Sequence, residues 1–233
     1  MAVRPRLLLL LACGLFAATP ALAAEPCPPR APRIRVAVVD RPPQLELDLG
    51  IDALHALSGE RRTARRAHLG LTTSRLEWHS DLNAHIGQED GGRGRFCAVP
   101  GEVVLTLVEA EHRISIAAEL PSGGCLWHEV YAHERRHAAV NRQTLGVAVR
   151  TAREAATRWA RFAAAQGPSA DIAMARLQAG LRRAIEPSLA ALRAARTRAH
   201  AQIDTPEEYR RISSICPADH ARLAARQRAI ASD

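Results

Sequence analysis

His133, Glu134 and His137 stand in the order H-E-x-x-H inside the stretch Gly123 to Asn141. On an α-helix, residues four apart lie one turn apart on one face, so both imidazoles can reach a single ion. Glu134 sits roughly 100° around the helix from His133, near enough to hold a water at that ion without ligating it. Zinc held by two neutral histidines and one more protein ligand keeps an open position, where water ionises near neutral pH. The chemistry implied is hydrolysis, with Glu134 as general base. Ser122-Gly123-Gly124 can start the helix, and Val130, His133, His137 and Val140 share one face of it. His128 points roughly the other way and reads as a surface histidine. The plainer alternative is an exposed helix that carries several histidines among charged residues.

Two ligands do not complete a catalytic zinc site, so a third must come from elsewhere. Gln143 stands where the metzincin spacing needs a histidine, which excludes that class. Glu154 is about 25 Å from His137 along an unbroken helix and can serve only if the helix breaks near Gly146. A return helix offers more. If the chain turns near Gly167, the residues level with His133 and His137 are about 197 to 202, give or take a few residues for the kink. Asp204 and His200 fall there, with Asp204 the first candidate because a residue at a helix end can turn toward the ion. Glu207 and Glu208 follow behind. The ordinary roles are an N-cap for Asp204 and a partly buried polar residue for His200.

The elements that must carry these residues change character at Pro121. Ahead of it, Ile34 to Val39 reads as a short strand, and Leu45, Leu47, Leu49 and Ile51 alternate as a second. Leu76 to Ile86 alternates again, with a flexible turn over residues 88–94. Val103 to Glu109 and Arg113 to Glu119 read as a strand pair broken near Glu111-His112. Beyond Pro121, residues 125–165 suit one long helix, with Thr144, Ala148, Thr151, Ala155 and Phe162 continuing the His133 face. Gln166-Gly167-Pro168-Ser169 ends it. A second helix from about Asp171 buries Leu177, Leu181, Ile185, Leu189, Leu192 and Ile203, and Pro187 should kink it. The expected fold class is α+β: a small, mainly antiparallel sheet (34–119), then a long helical hairpin (122–230) with a zincin-like helix, all in one domain (24–233).

Composition sets the setting. Residues 1–23 carry Arg4 and Arg6, an apolar core from Leu7 to Ala18 and the small-residue site Ala21-Leu22-Ala23, the pattern of a secretory signal. A lipoprotein box at Leu10 to Cys13 is the alternative. The expected location is periplasmic or secreted, with no spanning segment after cleavage. All 32 basic residues are arginine, and the formal charge is +8. A basic exported chain would meet anionic envelope surfaces rather than nucleic acid, but a solvated arginine-rich helix surface is the preferred explanation of the charge. Cys27, Cys97, Cys125 and Cys216 imply two disulfides, with Cys97–Cys125 and Cys27–Cys216 the expected pairs.

The layout of signal, alternating strands, Leu120-Pro121, Trp127, H-E-x-x-H, helical return and Asp204-Thr205 resembles a family of predicted secreted bacterial zinc-dependent proteases, known mainly as a domain of unknown function. The likeness spans most of residues 34 to 210. It implies Zn2+ as cofactor, His133 and His137 as ligands and Glu134 as catalytic, and it lends weight to Asp204 among the candidates for the third ligand. The expected partner is then a peptide or protein substrate, paired to a sheet edge near Arg113 to Glu119, with Tyr209 or His112 at the oxyanion. A zinc amidase acting on cell-wall peptides would share the site. The alternative from another class is a non-catalytic envelope protein that binds a partner or anionic surface through the arginine-rich hairpin.

Overall fold

The computed structural model describes Cys27 and residues 31–59, 68–88 and 95–231. The expected signal segment, most of the proline-rich arm, the basic run Arg61 to Arg66 and residues 89–94 of the expected turn lie outside these residues.

The described chain is mixed α and β. In order it forms β1 (Arg33–Val39), β2 (Gln44–Glu46), α1 (Ile51–Ser58), β3 (Gly70–Gln88), β4 (Phe96–Ile116), α2 (Cys125–Ala160), β5 (Ala165–Gly167), α3 (Ala170–Ile203), α4 (Pro206–Ser214) and α5 (Pro217–Ala231). Every strand pairs with β4. Along one side, β3 runs antiparallel to almost its whole length. Along the other lie β5, antiparallel, then β1 and β2, both parallel. The sheet is therefore mixed, and the expected mainly antiparallel sheet is corrected by the two parallel pairings. Arg33 faces Glu102 and Gln44 faces Arg113, the same offset, so β1 and β2 are one strand line interrupted at Pro42-Pro43. Proline lacks the N–H that the ladder needs.

β4 also corrects the expected strand pair. Arg75 faces Glu111 while Leu76 faces Glu109, so Ala110 is an extra residue, a β-bulge. The bulge flips which residues point inward: Val103, Leu105, Leu107 and Glu109 are buried before it, His112 and Ile114 after it. A phase change of this kind looks like a strand end in sequence. The expected substrate edge at Arg113 to Glu119 is corrected for a related reason, because Arg113 has β2 on one side and β3 on the other.

α1 replaces the end of the alternating run at Leu45 to Ile51. Its cap is distant: the Glu119 carboxylate accepts the Ile51 N–H at 3.0 and 3.1 Å. Helices α2 and α3 pack side by side in opposite directions, with His137 meeting His200, Thr144 meeting Arg196 and Trp159 packing at Gly180. The expected plain turn between them instead holds β5, which docks on β4. Phe162, expected on the buried face, is 89% exposed because α2 has already ended. Pro187 lies inside α3, which continues through it.

One core joins the sheet face to the far halves of α2 and α3, with Leu105, Leu107, Leu145, Leu181, Ile185 and Leu189 at its centre. A second joins α1, the end of β4, the start of α2 and α5. The disulfides are Cys27–Cys97 and Cys125–Cys216, with Cα separations of 5.9 and 5.8 Å. The expected pairing fails because Cys97 begins a strand that extends roughly 60 Å before α2 starts, and a bridge needs Cα atoms within about 7 Å. No helix among the described residues is long and apolar enough to cross a membrane.

Candidate metal centre

The start of α2 is held from a distance. Its N-cap Gly124 has no side chain to offer, and Asp219 of α5 accepts the Leu126 N–H at 2.9 Å instead. Cys125–Cys216 ties the same turn to the α4–α5 corner. Two turns on, His133 and His137 face inward at 6% and 8% exposure, with their Nε2 atoms 3.1 Å apart. α3 stops at Ile203, and Asp204 caps it with non-helical backbone before Thr205 and Pro206 begin α4. That corner aims Asp204 Oδ1 at both rings, 3.2 Å from His133 Nε2 and 3.1 Å from His137 Nε2.

Two imidazole nitrogens and one carboxylate oxygen thus form a nearly equilateral triangle. At zinc bond lengths of about 2.0–2.2 Å, tetrahedral ligands lie about 3.3–3.5 Å apart. The observed edges agree to within a few tenths of an ångström. A cation would use all three lone pairs; without one, a single oxygen faces two nitrogens that also crowd each other. The electrostatics match. Burial favours the neutral form of Asp204, but the contacts with the two imidazoles of His133 and His137 outweigh it and hold the carboxyl far below its usual range. Burial lowers the His133 pKa, and Asp204, Glu134 and Glu208 more than reverse it, leaving the net shift upward.

Glu134 sits beside this cluster at 5% exposure. Burial pushes its pKa up, opposed by a hydrogen bond from Thr72 and by the two histidines. Thr72 of β3 donates to Glu134 Oε2 at 2.7 Å and lies 2.9 Å from the Glu134 carbonyl oxygen. The strand comes that close because residue 70 is glycine. A Cβ there would lie 2.6 Å from Val130 Cγ1 and 2.8 Å from Glu134 Cγ.

Both rings have partners behind them. His133 Nδ1 lies 3.2 Å from Glu208 Oε1 and 3.0 Å from Arg136 Nη2. Arg136 also pairs with Glu208, as does Arg211, and these cations with His133 draw the Glu208 pKa down to about 2. Glu208 is therefore the ionised acceptor for His133 Nδ1–H, an arrangement that orients metal-binding histidines elsewhere. His137 Nδ1 lies 2.8 Å from His200 Nδ1, and His200 Nε2 lies 3.0 Å from Asn141 Oδ1. Burial and the nearby His137 lower the His200 pKa.

Among the sequence candidates, the structure brings His133, Glu134, His137 and Asp204 to one cleft of about 240 Å3 that His200 and Tyr209 also line. His200 and Glu208 stand one layer back, touching ligand candidates rather than completing the triangle. Glu154 and Glu207 are exposed and pair with Arg158 and Arg210. His112 is turned to the β1–β2 side of β4, its Nδ1 3.3 Å from the Arg41 carbonyl. His128 is exposed. Gly70, Thr72, Asn141 and Arg196 escaped the sequence reading, although Asn141 and Arg196 are polar residues on the apolar stripes of their helices.

The fold and cluster thus define a mixed α/β chain with a His–His–Asp cluster and a buried glutamate. No family model, curated protein or solved structure matches this chain.

Proposed function

We propose that this chain is an exported zinc-dependent metallopeptidase of zincin-like fold, with His133, His137 and Asp204 holding the ion and Glu134 as general base. One observation carries the reading: both H-E-x-x-H nitrogens and a carboxylate oxygen converge at 3.1–3.2 Å with a buried glutamate beside them. When bound, zinc supplies Lewis acidity, polarising a carbonyl and easing the ionisation of water. Glu134 takes the proton of the attacking water and passes it to the leaving amine. Its raised pKa suits a group that must accept a proton and then release it. Thr72 holds the carboxylate during both transfers.

The substrate in this reading is an extended polypeptide. Among the described residues β3 pairs with β4 alone, so its other edge offers backbone groups from Gly70 onward. A second hollow lined by Ser74, Leu76, Thr197 and His200 continues along that edge from Thr72. Tyr209 lines the cleft with its ring centroid 6.4 Å from that of His133, and is the candidate for steadying the oxyanion. The two disulfides favour an oxidising compartment.

Metal analysis of the purified chain should find about one zinc per molecule. Glu134→Gln should keep that zinc while cleavage of a randomised peptide library falls by about 10²–10⁴-fold. A folded, metal-free protein would favour the non-catalytic binding role. Undiminished cleavage by the variant would remove Glu134 from the mechanism.

A further inference from the structure

We propose that His200, held by Asn141, is a positioning residue that sets the tautomer of His137 and so opens His137 Nε2 to a cation. Its zinc-binding arm rests on the metal reading above.

The geometry is a line of three side chains. His137 and Asn141 are one turn apart on α2, while Arg196 and His200 are one turn apart on the facing α3. The two ring Nδ1 atoms are 2.8 Å apart, so they share a single proton. The order of donors is set at the far end of the line. Asn141 Oδ1 has only lone pairs, and it lies 3.0 Å from His200 Nε2. His200 Nε2 therefore carries a proton, and a neutral His200 has a bare Nδ1. That bare nitrogen accepts from His137 Nδ1–H. His137 Nε2 is left with its lone pair, directed toward His133 Nε2 and Asp204 Oδ1. The reverse order would put a hydrogen on His137 Nε2 and close it to a metal.

The line is braced rather than loose. Arg196 donates to the Asn141 carbonyl oxygen at 2.8 Å. Its guanidinium also grips Glu109, fully buried on β4, through two bonds of 3.1 and 2.6 Å, and meets Thr144 and Ser74. A buried pair of that kind holds α2, α3 and the sheet in one register, which keeps Asn141 opposite His200.

Two-bond ¹⁵N–¹H spectra of the metal-free full chain at mildly alkaline pH read the tautomers directly. His137 should be protonated at Nδ1 and His200 at Nε2. Zinc affinity, measured by competition with a chromophoric chelator, should fall by about 10–100-fold in His200→Ala and in Asn141→Leu. His200→Gln, whose amide oxygen can still accept from His137, and Asn141→Asp should stay close to wild type. Circular dichroism confirms that each variant is folded. A proton on His137 Nε2 in the metal-free protein overturns the proposal, as does wild-type affinity in both His200→Ala and Asn141→Leu. If the wild-type chain takes up no zinc, the metal reading fails, and the tautomer spectra alone decide this one.

Discussion

At the residue scale, the proposed site divides into groups that would hold an ion and a group that would move a proton. Asp204 supplies the one oxygen of the triangle, and two histidines alone hold zinc poorly. Asp204→Ala should therefore lose stoichiometric zinc, while His128→Ala, on an exposed position, should keep it; equal loss in both would sink the assignment. Gly70 tests the other group. A methyl added there meets Glu134 and Val130, and must push β3 away from α2. Gly70→Ala should keep its zinc yet lose peptide cleavage, because Thr72 no longer reaches Glu134. Metal content and turnover measured on one preparation would separate the two effects, and full activity would show that the close approach is not needed.

Among the elements, the joint between α3 and the sheet carries one buried ion pair beside its apolar core. Glu109 is fully buried and Arg196 nearly so, with bidentate contact between them. Removing one partner leaves an uncompensated buried charge, at a cost of about 3–5 kcal/mol. Arg196→Met should show that loss in urea denaturation, whereas Arg196→Met combined with Glu109→Leu should recover much of it. If the single variant is as stable as wild type, the pair contributes little and the joint is held by the surrounding apolar packing.

For the whole molecule, the ligand candidates link regions that lie far apart along the chain. His133 and His137 belong to α2, Asp204 to the corner between α3 and α4, and Cys125–Cys216 ties the start of α2 to the next corner, between α4 and α5, across 91 residues. A metal that binds only the folded chain adds about 4 kcal/mol when its free concentration is 1,000 times Kd. Chelation should thus lower the melting temperature, and added zinc should restore it. Cys125→Ser/Cys216→Ser should cost about 2–5 kcal/mol, since the bridge restricts the unfolded chain. Melting curves unmoved by chelator would argue against a metal that spans the two regions.

Sequence alone determined what local spacing can encode. His133 and His137 share a face because helical period places residues four apart together, and the count of helical rise along a return path reached Asp204. The apolar stripe of α3 was legible from Leu177 to Leu192 for the same reason. Contacts between distant segments were decided by tertiary structure. The bulge at Ala110 made one strand look like two, and the pairing of the cysteines depends on which distant segments the fold brings together. Helix α1 stayed hidden because its cap is a carboxylate 68 residues away. His200 and Asp204 were both level with the histidines to within a few residues, and the helix end expected at Asp204 ranked it first. The tertiary structure supplied the contacts: helical backbone keeps His200 against His137 Nδ1, while the non-helical turn at Asp204 swings its carboxylate between both Nε2 atoms. Periodicity reports which residues share a face, whereas the place where an element stops and what lies against it depend on the packing of the whole chain.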